Sequence, residues 1–284
     1  MKQIVLDPFL NVVNNGIATC DLSTLLGSVV EKITLNLGGT TFDPSKISRI
    51  DLKANGKVIW TSTGANLKKS NAYSGGTATN TMLKIDFMDR RRTRSLNAFQ
   101  AGAIDLSAGS GVTTFRLEVT ISGATAPTIV GWADVTPPTN NPAESEVRWL
   151  IARRHVHTQV VGAAGMFALQ IPHIDPAGGG STYRRVYIYS TNMTGIKVQR
   201  EGVTEFELTR AQNEESQKDN GMTPQADMVV FDPVQRGLMM GEVWDTRYNS
   251  STRAGVRSAQ FYGTFSDGET ITIETEELLP LGAY

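Results

Sequence analysis

The chain has 284 residues, 40% of them hydrophobic and 19% charged, which places it among folded globular proteins and outside the disordered and membrane-spanning classes. Lys plus Arg (27) nearly cancels Asp plus Glu (28), so there is no broad basic field of the kind that coats or reads a nucleic acid. The single cysteine, Cys20, excludes an intrachain disulfide and any Cys-x-x-Cys metal or redox site, in keeping with assembly in a reducing cytoplasm.

In chain order, the apolar run Ile4-Val5-Leu6 is cut at once by Asp7-Pro8, too short for a secretory signal or a membrane span. Ile33, Leu35 and Leu37 alternate with Lys32, Thr34 and Asn36, the period of a strand with one buried and one wet face. Ile50, Leu52 and Ala54 repeat the pattern and run into Asn55-Gly56, which tolerates positive φ at both turn positions and so predicts a tight hairpin into Val58-Ile59-Trp60. Phe115, Leu117, Val119 and Ile121 make a further strand. The stretch 123–142 is rich in Pro and Thr and contains Trp132, and no role is assigned to it. Within it, three prolines between Val135 and Glu144 predict a linker at 137–144 that separates domains at 1–136 and 145–284. Thr209–Lys218 is the one helical pattern, stopped by Asn220-Gly221. The last strand holds Ile271 and Ile273, after a Ser266-Asp267-Gly268 turn.

The two halves resemble each other. Residues 47–90 overlie 193–236 at a constant offset of 146 without gaps, matching Ile50 with Ile196, Gly56 with Gly202, Trp60 with Phe206, Gly75 with Gly221 and Asp86 with Asp232. Few helices, many short strands and an internal repeat predict an all-β chain of two tandem jelly-roll sandwiches with short flanking helices.

Motifs for chemistry are sparse. His155-Val-His157 offers the paired imidazoles of a two-cupin metalloenzyme, but the Glu and third His that such a site needs are misplaced, since His173 precedes the next Glu, Glu201. A polar or subunit-contacting strand edge shared with Arg153 is the better reading. Gly178-Gly179-Gly180 lacks the Lys and the strand-loop-helix setting of a phosphate loop, and no Gly-x-Ser-x-Gly elbow occurs. No catalytic or cofactor-binding residue is assigned. Arg90, Arg91, Arg92 and Arg94 form the one dense charge cluster, read as a contact to neighbouring subunits. A surface-binding sandwich for carbohydrate or a receptor, with Trp244 and Tyr248 as exposed aromatics, is the alternative.

Particular stretches are familiar as a set. Leu6-Asp-Pro-Phe-Leu-Asn-Val-Val13, Ile17-Ala-Thr-Cys-Asp-Leu22, Leu37-Gly-Gly-Thr-Thr-Phe42, Ile50-Asp-Leu-Lys-Ala-Asn-Gly-Lys57, Tyr189-Ser-Thr-Asn-Met-Thr194 and Phe206-Glu-Leu-Thr-Arg-Ala211 resemble the major capsid proteins of corticovirus-type phages, which are tailless, icosahedral and membrane-containing. The resemblance implies a double jelly roll, three copies to a pseudo-hexagonal capsomer, and a shell around an internal lipid membrane. It also implies contacts with neighbouring capsomers and with minor capsid or vertex proteins, no sequence-specific nucleic acid, and a virion location after assembly in the host cytoplasm. Structural calcium occurs in the family, but no ligand residues are identified here. Met1, Lys2, Gln3 and Ile4 are expected at the membrane-facing end, and deletion of residues 1–6 is expected to leave the folded capsomer intact while weakening its attachment to vesicles or its incorporation into particles.

Overall fold

The computed structural model describes residues 2–76, 79–88, 102–137, 150–172, 174, 180–237, 242–249 and 254–280. Two compact units emerge, residues 1–154 with 279–284, and residues 155–278.

The first unit contains β1 (Lys2–Val5), β2 (Gly16–Asp21), β3 (Val29–Gly38), β4 (Ile47–Ala54), β5 (Lys57–Ser62), α1 (Gly64–Tyr73), β6 (Met82–Asp86), β7 (Ile104–Asp105), β8 (Phe115–Ile121) and β9 (Thr128–Thr136). One sheet runs β1-β9-β3-β6, with β7 also on β3, and the facing strands run β5-β4-β8-β2. All these pairs are antiparallel. Strands alternate between the two sheets so that the first and last lie side by side, which is the jelly roll. The predicted alternation holds: Ile33, Leu35, Ile50, Leu52, Leu117 and Val119 are fully buried. Cys20 joins them, its thiol donating to the Asp7 carbonyl at 3.2 Å. Within this unit the start of β10 (Leu150–Val161) lies parallel to β5, with Arg154 opposite Trp60.

The second unit takes the rest of β10 and adds β11 (Gly165–Ala168), β12 (Thr182–Tyr189), β13 (Met193–Arg200), β14 (Val203–Thr209), α2 (Arg210–Asp219), β15 (Met228–Phe231), β16 (Trp244–Asp245), β17 (Tyr248–Asn249), β18 (Ala254–Gly255), β19 (Ala259–Phe265) and β20 (Glu269–Pro280). Its orders, β15-β12-β20-β10 and β11-β19-β13-β14, reproduce those of the first unit strand for strand. The chain is therefore a double jelly roll, as expected.

The offset of 146 is physical. Asn55 and Glu201 both adopt positive φ (49° and 54°) ahead of Gly56 and Gly202 (79° and 74°), so the same turn joins β4 to β5 and β13 to β14. Thr63 and Thr209 cap α1 and α2 through their side chains, and Thr209 completes a capping box with Gln212. Each helix then docks a side-chain amide on the following strand. Asn71 exchanges two 2.9 Å hydrogen bonds with the backbone of Lys84, and Gln217 donates to the Val230 carbonyl at 2.7 Å.

Two elements went unread in the sequence. Only one helical pattern was identified, yet α1 precedes it, its Leu67, Ser70 and Tyr73 buried on one face. The stretch 123–142, to which no role was assigned, contains β9, a central strand between β1 and β3. Of the proposed linker 137–144, only Pro137 is among the described residues.

Trp60 is 3% exposed, its ring 5.4 Å beneath the Arg154 guanidinium. Phe206, its counterpart, is only half-buried. Trp60→Ala is expected to lower unfolding free energy by about 3–5 kcal/mol through the cavity it leaves, and Phe206→Ala by less. Denaturant titration of the purified protein measures both.

Candidate assembly interface

The same ionic ladder crosses the last, third and sixth strands of both rolls. In the first, Glu31 is the extra residue of a β-bulge, so Val30 faces Val135 while Lys32 faces Asp134. Lys32 Nζ lies 2.5 Å from Asp134, and on its other side Lys32 faces Asp86. In the second roll Arg184 is the extra residue, and Arg185 faces Glu276. Arg185 donates to Asp232 at 2.8 Å and lies 3.8 Å from Glu276, which also pairs with Arg184 at 3.1 Å. Asp232 is the repeat partner of Asp86.

The rungs differ in burial. Lys32 is partly wet, its side chain 31% exposed, whereas Arg184 and Arg185 are 2% exposed. Around the second rung Ser181 donates to Glu277 at 2.6 Å, Thr275 to Glu277 at 2.8 Å and Tyr189 to Glu274 at 3.5 Å. A one-residue slip of β20 would turn these acids into the apolar core, so the ladder fixes register more than it adds stability.

A second device clamps the turn between β4 and β5, or β13 and β14, onto the loop before β8 or β19. Asn55 Oδ1 accepts from the amides of Thr113 and Thr114 at 2.8 and 3.3 Å, and its Nδ2 donates to the Gly111 carbonyl at 2.9 Å. Glu201 does the same work with a carboxylate, accepting from the amides of Arg257 and, at 3.1 Å, Ser258. Those two donors hold the Glu201 carboxyl below the usual carboxylate range.

The residues singled out from sequence fall as follows. Lys2, Gln3 and Ile4 are not a free arm. They form β1 on the edge of a sheet, Gln3 donates to Asp134 at 3.0 Å, and Leu6 just beyond is in the core. Deletion of residues 1–6 would therefore take away an edge strand of this sheet and a core leucine. Met1 and Arg90, Arg91, Arg92 and Arg94 lie outside the described residues. His155 and His157 stand on β10, where His157 Nε2 is 3.1 Å from Gln170 Oε1. No three metal-ligating side chains converge among the described residues. Trp244 is buried, its Nε1 donating to Glu205 at 2.9 Å and its ring packed against Tyr183, Phe231 and Phe261, which removes it as an exposed binding aromatic. Tyr248 lies in β17. Exposed valines went unnoticed in the sequence: Val5 at 78%, Val130 at 59%, Val160 at 73% and Val203 at 64%.

The sequence profile of the Viral coat protein P2 N-terminal domain matches residues 3–136, and that of the Viral coat protein P2 C-terminal domain matches residues 151–281. The chain belongs to the viral coat protein P2 family. Its fold is similar to that of the major capsid protein P2 from Bacteriophage PM2, at 17% identity and a TM-score of 0.82, over 99% of this chain and 98% of that one. A chain from Sulfolobus Turreted Icosahedral Virus matches at 12% identity and a TM-score of 0.67, over 100% of this chain and 91% of that one. PBCV-1 VP54, fitted into a reconstruction of the virophage Sputnik, matches at 10% identity and a TM-score of 0.60, over 98% and 92%. No curated protein sequence matches. At these identities the likeness is one of fold.

Arg185→Ala would leave buried Asp232 and Glu276 facing each other without it, and a loss of about 3–5 kcal/mol is expected in denaturant titration. Glu201 supplies a pH dependence. Because its folded pKa is depressed, its contribution is complete above the unfolded value and is lost as pH falls through the folded one. Glu201→Asn keeps the acceptor and the tolerance of positive φ without titrating, so the acid limb of its stability curve should be shallower than that of the unsubstituted protein. Thermal unfolding between pH 2 and 7 compares the two.

Proposed function

We propose that this chain is the major capsid protein of a tailless icosahedral virus, assembling as trimeric, pseudo-hexagonal capsomers. The observation that carries the reading is the duplication itself: two rolls with identical strand order, matched turns and matched capped helices in one P2-family chain. Three such chains in a closed ring present six similar walls, so threefold symmetry tiles a hexagonal lattice. A single binding module has no need of that equivalence. The role is structural, carried by large permanent contacts between copies and between capsomers.

The resemblance to corticovirus-type phages extends the proposal to a shell around a lipid membrane, with minor vertex proteins as further partners and assembly in the host cytoplasm. Among the described residues no helix is long and apolar enough to cross a membrane, so association with the lipid would be peripheral.

Light scattering on the purified protein is expected to give about three times 30.8 kDa. That mass should persist on dilution and in moderate salt, because apolar burial is insensitive to screening. A stable monomer overturns the capsomer reading, and a dimer favours a surface-binding sandwich.

A further inference from the structure

The two fifth strands are equivalent by sequence offset, by turn and by the helix that follows, yet their outer edges differ. That of β5 is met by β10, which lies parallel to it with Arg154 opposite Trp60. There Arg154 stacks on Trp60 and donates to Ser70 of α1 from both terminal nitrogens at 3.3 Å. The edge of β14 ends its sheet and has no strand beside it among the described residues. Its features repeat those of the filled edge: Phe206 stands for Trp60, and Ser216 of α2 for Ser70. Phe206 remains half-buried and Val203 is 64% exposed, where a covering strand would bury them.

The strand that fills the first edge leads into the second roll. Its counterpart is the strand that leads into the first roll, which is β1. This strand is itself the end of its sheet among the described residues, carries Val5 at 78% exposure, and begins with a cation, Lys2. The strand it would meet exposes Thr204, and its Glu205 and Glu207 pair within the chain with Arg200 and Lys197. Two edges that have no neighbouring strand among the described residues, each with an exposed valine, in a chain that already closes one such edge with itself, are complementary.

We propose that β14 of one copy receives β1 of the next, in parallel, as β5 receives β10. The occupant is a second copy of this chain, and the inference rests on the capsomer reading because only a ring of copies brings a first roll to every second roll. The contact is head-to-tail, so it closes into a ring instead of pairing two copies face to face. Lys2 would take the place over Phe206 that Arg154 holds over Trp60. Lys2–Ile4 would then serve chiefly as a contact between copies.

Cysteine pairs test this in the full-length protein, since buried Cys20 is unreactive. Lys2→Cys, Gln3→Cys or Val5→Cys would be carried on one batch of chains and Val203→Cys, Thr204→Cys or Glu207→Cys on another, with the batches co-assembled and oxidised. All six positions are at the surface, so folding should survive, and circular dichroism checks it. A cross-linked dimer in non-reducing gels, containing one chain of each kind and absent when either batch is oxidised alone, is expected for at least one pair. A trimeric mass with no mixed cross-link from any pair overturns the strand contact and leaves the capsomer reading standing. A monomeric mass in the unsubstituted protein overturns both.

Discussion

Each roll depends on where its last strand is placed. β9 lies between β1 and β3, so Lys2 pairs with Val135 across nearly the whole first half of the chain, and β20 occupies the same place in the second half. Contacts so distant in sequence gain nothing until a long loop has closed, and a period-2 strand offers many registers of similar hydrophobic quality. The ladder at the bulge removes that degeneracy. Only one register sets Lys32 against Asp134, or Arg185 against Glu276, and the bulge gives the neighbouring charged residue its own direction. Buried ion pairs contribute little net stability, so their repetition in both rolls is better understood as specification of pairing.

Much of the fold was legible because local chemistry agreed with global placement. Strands with one wet face announced themselves by alternation, as around Ile33 and Leu117. The Asn55-Gly56 turn and the Thr209 cap are short-range signals that no tertiary contact needed to override. What was missed had the opposite character. β12 carries Arg184 and Arg185 between apolar residues and is buried along its whole length, with acidic partners some 90 residues away that no local window contains. β9 is flanked by Pro and Thr that masked its alternation. α1 has a weakly apolar inner face that includes Ser70 and Gly64, too faint for a periodicity argument, although the repeat offset applied to the Thr209 helix would have located it.

The site was less legible than the fold. Assembly surfaces are defined by what is left uncovered, and exposure of Val5 or Val203 is a property of the finished sandwich. The charge cluster that drew attention, Arg90 to Arg94, lies outside the described residues, while the arginines with assignable roles are the buried Arg154, Arg184 and Arg185. Similarity to other viral coat proteins at 17% identity or less fits this division. A fold can persist at such identities because many side chains satisfy the same burial pattern.

The buried thiol of Cys20 has a bearing on shells made of many copies. Burial above all, with the nearby charges of Asp7 and Asp21, pushes its pKa up to about 12, and its proton is shared with the Asp7 carbonyl. Since the thiolate is the reactive form, a chain held at the high local concentration of a lattice offers no nucleophile at neutral pH for disulfide scrambling between neighbours. Subunits could then meet, separate and meet again until a correct arrangement closes. Assembly errors would stay reversible in reducing and oxidising surroundings alike.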